Sequence, residues 1–242
     1  ILWAIALSTP LKTRILLFLA SLPMLYAMVL SYSRGPVVAF AAGLAGLLVA
    51  SRNWKLCVVS LLICTLGIGG LALSGKTQLV DRLATATTPT EDASFQVRLG
   101  YLNRFLPEIL NRPFGYGLNT TGTSGLVASG GHVVYGPPGG VPTHNQYFKY
   151  GLEIGWFGLL LFLWLYLSLW GYCYQVYRHL EDPFLKSVAL GVFAVMTCFL
   201  VGAFSNDIYG QKPLSEFLYL ALGLVALLGQ HRRCVWKKES PS

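Results

Sequence analysis

The sequence predicts an all-α fold: a polytopic transmembrane helical bundle of about six spans, preceded by the end of another, with a long exterior loop carrying short helices. Three observations carry that prediction. Only 12% of the 242 residues are charged and 54% are hydrophobic, whereas a soluble domain carries roughly a quarter charged residues. Apolar runs close to the ~20 residues that a bilayer requires recur along the chain. The basic residues, finally, gather in alternate connections. In a soluble protein the net charge of +8 would suggest nucleic acid; here its distribution reports topology, and no nucleic-acid partner is expected.

The chain opens on Ile1-Leu2-Trp3-Ala4-Ile5-Ala6-Leu7 without an initiator Met. That stretch reads as the tail of a severed helix, so the chain is expected to be the C-terminal part of something longer. Spans are expected over residues 15–33, 36–50, 56–74, 152–177, 185–205 and 214–230. The second is short and bounded by Pro36, which suggests a tilted or partly buried helix. Lys12 and Arg14 precede the first span, Arg52 and Lys55 follow the second, and Arg178 and Lys186 follow the fourth. With Arg232, Arg233, Lys237 and Lys238 they place ten of the 18 Lys and Arg on one side. The short opposite loops carry only Arg34 and Lys212. The positive-inside rule puts the ten in the cytoplasm and the stretch from about Gly75 to Tyr150 outside. The expected organisation is therefore 1–74, N-terminal transmembrane helices; 75–150, an exterior loop carrying the site; and 151–242, C-terminal transmembrane helices with a cytoplasmic tail.

Cys57, Cys64, Cys173, Cys198 and Cys234 all fall in spans or in the tail. No disulfide or Cys-based metal site is implied in the exterior loop, and the five read as small buried residues.

Within the loop, residues 75–94 are polar and Thr-rich, with Asp81 and the adjacent Glu91 and Asp92. Residues 113–143 are rich in Gly and Pro, and the stretch from Gly122 to Pro142 is expected to be mobile, as a lid or as a plain connector. Residues 95–112 read as a helix. At 100° steps Leu99, Leu102, Phe105, Leu106 and Ile109 share a stripe, while Arg104 and Glu108 lie on the other face, spaced to pair. Pro107 is expected to bend this helix or end it early. Arg98 falls inside the apolar stripe with no carboxylate at helical spacing, where a cation needs a partner. An anion is one such partner; snorkelling to lipid headgroups is the other reading.

Arg34 stands in Ser33-Arg34-Gly35-Pro36, at the outer turn between the first two spans. It must face headgroups, water or an anion, because an arginine in hydrocarbon costs several kcal/mol. Together Arg34 and Arg98 supply two permanent cations outside. A guanidinium fork matches phosphate oxygens, and a pair can hold a diphosphate without metal. The alternative, a divalent ion held by carboxylates, finds no Asp-x-Asp among the exterior acids Asp81, Glu91, Asp92, Glu108, Glu153 and Asp207. Neither metal nor cofactor is expected. His144 stands where the loop enters the fourth span, and an imidazole with unperturbed pKa near ~6.5 can take a proton from an attacking hydroxyl. A helix cap is its plain structural alternative, and His132 reads as a solvated loop residue. Gly151, Gly155 and Gly158 follow on one helix face, the first two as a small-xxx-small contact expected to fix where His144 points. Glu153, on the opposite side of that turn, is either a supporting partner or an interfacial carboxylate.

With these residues in place, the chain resembles the O-antigen ligase and polymerase superfamily of bacterial envelope polysaccharide enzymes. The resemblance rests on Ser33-Arg34-Gly35, Arg98-x-x-x-Leu102, Pro113-Phe114-Gly115-Tyr116-Gly117, and His144-Asn145 followed after nine residues by Gly155-x-x-Gly158. It covers roughly residues 15–230. It implies a membrane glycosyltransferase of the GT-C type, working by metal-independent inverting transfer at the periplasmic face of the bacterial inner membrane. The implied donor is a glycan on undecaprenyl diphosphate, and in the ligases the acceptor is a sugar hydroxyl of the lipid A–core. Carried over by motif, Arg34 and Arg98 hold the donor diphosphate and His144 activates or orients the acceptor hydroxyl. Asn145 and Glu153 are candidates to support them.

A polymerase that extends the lipid-linked glycan and a protein O-oligosaccharyltransferase use the same donor, and the sequence does not separate them from a ligase. A solute transporter, for inorganic carbon for example, would need charged residues near mid-membrane. The six expected spans hold almost none.

Overall fold

The structure, a computed structural model, describes residues 1–31, 33–52, 93–118, 120–121, 145–206, 208 and 214–239; the side chains of residues 29, 34, 93–99, 101–102 and 231–239 fall outside that description. The described regular elements are all helices: α1 (Leu2–Ile5), α2 (Leu11–Leu30), α3 (Arg34–Ser51), α4 (Ala93–Asn111), α5 (Gln146–His179), α6 (Pro183–Gly202) and α7 (Leu214–Glu239). Of these α2, α5 and α6 are long and apolar enough to cross a membrane, and α3 and α7 contain the shorter apolar segments Gly35–Ser51 and Leu214–Gln230. The five match five of the expected spans. The sixth, 56–74, lies outside the described residues, as does the stretch from Gly122 to Pro142.

The chain divides into two compact units. The first comprises Ile1–Arg52, His144–Gln146 and Leu160–Ser242. Its centre is α6, which Asp182 starts by accepting the Leu185 N–H at 2.8 Å, with Pro183 in the first turn, where its missing N–H costs nothing. Ala189, Val192 and Met196 are fully buried along it. Against α6 lies α3, along a seam of small residues. A Cβ on Gly43 would collide with Cys198 Sγ and lie 2.9 Å from the Ala194 carbonyl oxygen, and one on Gly46 would lie 3.1 Å from Thr197 Oγ1. Lipid tails are as apolar as leucine, so helices in a bilayer associate through such close backbone approach and not through hydrophobic force. Pro36 sits in the first turn of α3, which explains why it bounds the helix without breaking it.

Further contacts lock the later part of α5 onto this pair. Trp170 Nε1 donates to Thr197 Oγ1 at 3.0 Å, Tyr177 donates to the Ala50 carbonyl at 3.2 Å, and the Trp170 and Tyr174 rings pack on Phe193. Cys173 is fully buried. Short α1 is anchored by Trp3, which donates to Ser21 Oγ at 2.9 Å and meets Phe18 and Phe40 edge-on.

The second unit comprises Asn53–Thr143 and Tyr147–Leu159. Phe105, Ile109 and Leu152 form its described core, with Tyr116 and Phe148 packed against them. Two expectations change here. Helix α4 does not end at Pro107 but runs through it to Asn111. Burial of Phe105 and Ile109, worth about 1.5–3 kcal/mol each, offsets the roughly 3 kcal/mol that an interior proline costs. The expected single stripe also splits: Phe105 and Ile109 are buried, whereas Leu106 is 45% exposed.

Candidate functional site

Arg34 is the first residue of α3 and Arg98 lies in the first half of α4. Their side chains, and His144 altogether, fall outside the described residues. What the structure does describe is the backbone framework next to each of them, one unit at a time.

In the first unit the turn that closes α6 is the organising feature. Its residues Ala203, Ser205 and Asn206 bond back to Phe199 and Gly202. The Ala203 carbonyl accepts the Gln146 N–H at 2.9 Å, which seats the start of α5 two residues after His144. The same turn lies against the start of α3: a Cβ on Gly35 would collide with Ser205 Oγ and lie 3.3 Å from Asn206 Nδ2. Glycine at 35 is what lets Ser205 approach the helix next to Arg34. A Cβ on Gly202 would likewise lie 3.3 Å from Ala39 Cβ. The immediate neighbours of Arg34 and His144 thus meet one polar turn. Ser205 and Asn206 were not singled out from the sequence. The available signal was a polar pair just beyond an apolar span, on the side expected to hold the Arg34 turn as well.

In the second unit the glycines of α5 behave differently from the expected helix face. Gly155 has φ 72° and ψ 177°, so α5 is broken there. The break frees backbone groups that a continuous helix would pair internally. The Pro113–Gly117 segment enters it as a strap and satisfies them. Tyr116 N–H donates to the Leu152 carbonyl at 2.8 Å, Gly117 N–H to the Glu153 carbonyl at 2.9 Å, and Phe157 N–H to the Pro113 carbonyl at 3.4 Å. Gly115, at φ 69°, passes so close that a Cβ would lie 2.5 Å from the Leu152 carbonyl oxygen. Gly151 leaves space for Ile109, whose Cδ1 would be 2.7 Å from a Cβ there. The expected small-xxx-small contact between Gly151 and Gly155 is therefore a docking groove for α4 and the strap. A shared helix face requires regular dihedrals, and Gly155 does not have them.

Glu153 is only 2% exposed, which rules out the interfacial carboxylate. Its Oε1 accepts from Thr121 Oγ1 at 2.6 Å and from Thr121 N–H at 3.3 Å, tying the chain beyond the strap to α5. Glu108, expected to face Arg104, accepts the Tyr116 hydroxyl at 2.5 Å. That bond, with burial second, holds the Tyr116 phenol above its ordinary range, and the Arg112 guanidinium lies 4.1 Å from the centre of its ring. Among the described residues no group of His, Cys, Asp and Glu has the arrangement of a metal site.

A protein-family model described as O-antigen ligase matches residues 19–163. The match takes in α3, α4, the strap and the broken start of α5, and with them Arg34, Arg98 and His144. No curated protein and no solved structure matches the chain.

Proposed function

The chain belongs to the O-antigen ligase family, and we propose that it is a ligase-type glycosyltransferase, joining an undecaprenyl-diphosphate-linked polysaccharide to a sugar hydroxyl of lipid A–core at the periplasmic face of the inner membrane. The observation that carries this reading is the family match across residues 19–163, which contains the two exterior arginines and the histidine. The turn at Ser205 and Asn206, which touches Gly35 and receives Gln146, supports a common location for Arg34 and His144.

In this reading the acceptor oxygen attacks the anomeric carbon of the donor sugar from the face opposite the carrier. A new carbon–oxygen bond forms as the bond to the diphosphate breaks, and configuration inverts. The departing diphosphate takes the electron pair, and Arg34 and Arg98 stabilise its charge by bidentate hydrogen bonds. His144 takes the proton of the acceptor hydroxyl. The arginines do the work of a divalent ion, so chelators are expected to leave the rate unchanged, and dependence on Mg²⁺ or Mn²⁺ would contradict this part of the mechanism. Asn145 and Glu153 are supporting residues in this scheme, Glu153 by holding Thr121 through its carboxylate.

The testing experiment is a lipopolysaccharide gel from a strain lacking the gene. Cores without repeats are expected. Cores capped by a single repeat would instead identify a polymerase, and an unaltered ladder would exclude both.

A further inference from the structure

Helix α4 presents three faces. Phe105 and Ile109 are buried against Leu152, and Arg104 and Asn111 are exposed on a polar face. Between these faces lies a row of large apolar side chains with little cover, Leu106 at 45% exposure and Leu110 at 63%, and the chain that follows also exposes Phe114 at 78% and Leu118 at 72%. Their spacing of four residues keeps Leu106 and Leu110 on one side of the helix. An exterior segment bathed in water does not ordinarily hold four such side chains in a row.

What lies against this row follows from where the strap is attached. Phe114 sits between Pro113, whose carbonyl takes the Phe157 N–H, and Gly115, which passes against Leu152 and Glu153. Phe114 is thus held level with the break in α5. Beside it Trp156 and Phe157 are themselves 39% and 49% exposed. From Trp156, just after the break, to Tyr177 the helix carries no charged residue, a run of about 33 Å at 1.5 Å per residue, slightly more than the ~30 Å of bilayer hydrocarbon. The strap therefore joins α5 at the outer edge of its membrane span. Arg112, stacked on Tyr116, has the position of a headgroup contact at that edge.

The geometry points to α4 and the Pro113–Leu118 strap as an interfacial element, lying on the outer leaflet with Leu106, Leu110, Phe114 and Leu118 in the boundary between headgroups and acyl chains. The occupant of this surface is bilayer phospholipid. Such a helix has an apolar side and a polar side that carries basic residues; α4 has both, with Arg104 on its polar side. The inference rests on membrane residence and not on the proposed transfer reaction, and it holds or fails by itself.

The test places a photoreactive benzophenone side chain at Leu110, at Phe114 and, as the polar-face control, at Asn111. The full chain is reconstituted in nanodiscs of phosphatidylethanolamine and phosphatidylglycerol and irradiated. Because all three positions are exposed, the replacements remove little packing. Several-fold more phospholipid adduct at 110 and 114 than at 111, read by mass spectrometry of the tryptic peptides, is the expected result. Equal lipid labelling at all three positions would overturn the inference. So would adducts at 110 and 114 that join another stretch of polypeptide, since protein would then cover the row.

Discussion

Replacing Gly155 by alanine tests the break in α5 and everything the strap does there. With φ 72° and ψ 177°, the residue occupies a region essentially reserved for glycine, and holding alanine in it costs about 1–3 kcal/mol. The new methyl would also collide with the Pro113 carbonyl oxygen and lie 2.6 Å from the Gly115 nitrogen, both backbone atoms with no rotamer to yield. The other route is for α5 to become regular, gaining about 1 kcal/mol of helix propensity and its own internal bonds. It must then withdraw the Leu152 and Glu153 carbonyls from Tyr116 and Gly117. Those bonds, about 1 kcal/mol each, are then exchanged for internal ones, and the packing of Tyr116 on Phe105 and Leu152, about 1.5 kcal/mol, is lost with the strap. Strain of about 2 kcal/mol in the closed strap, relieved when it opens, is close to a 30-fold rise in its opening equilibrium. Hydrogen exchange reads this directly, as a fall of that size in protection of the Tyr116 and Gly117 amides. Gly171→Ala, on the same helix with nothing within 4 Å of its Cβ, should leave those amides unchanged. Unaltered protection in Gly155→Ala would refute the account of the strap.

Three further outcomes are expected. Gly43→Ala should lower the unfolding midpoint in detergent, because its methyl collides with Cys198 Sγ; adding Cys198→Ala should recover part of the loss but not all, since the Ala194 carbonyl oxygen at 2.9 Å remains. Thr121→Val removes the hydroxyl donor of a buried carboxylate and should cost about 1–3 kcal/mol, visible in denaturant titration, whereas Glu153→Gln, which keeps an acceptor oxygen, should cost less. Tyr116 is held in its neutral form by Glu108, so its contribution to stability is complete below the ordinary phenol value near ~10 and is lost as pH rises through its raised value. Absorbance at the tyrosinate band should show Tyr116 titrating after an ordinary tyrosine, as the difference between the wild type and Tyr116→Phe.

The membrane helices were legible because hydropathy is a local signal, summed over one span at a time. Helix α4 was legible for the same reason, through its apolar period, although burial of Phe105 and Ile109 carried it past Pro107. The break at Gly155 was not. Gly151, Gly155 and Gly158 fit a regular helix face in sequence, and only the arrival of Pro113–Gly117 from a distant position makes the irregular dihedrals favourable. The α3–α6 seam was hidden in a similar way: Gly43 and Gly46 are ordinary residues of an apolar run until Cys198 and Thr197 are set against them. For the candidate site, the motif residues stand out in the sequence as charged and titratable groups in an apolar chain, and their side chains lie outside the described residues. Ser205 and Asn206 were not, since their relevance comes from two contacts, one to Gly35 and one through Ala203 to Gln146, that no local pattern announces.

The central claim is that two guanidiniums and one imidazole serve a single transfer step. It is tested most directly by the initial rate of glycan transfer from undecaprenyl diphosphate to lipid A–core in proteoliposomes, comparing the wild type with Arg34→Ala, Arg98→Ala and His144→Ala at matched membrane insertion. Each variant is expected to lose roughly 10²-fold or more. A near-wild-type rate in any one of the three would contradict the account.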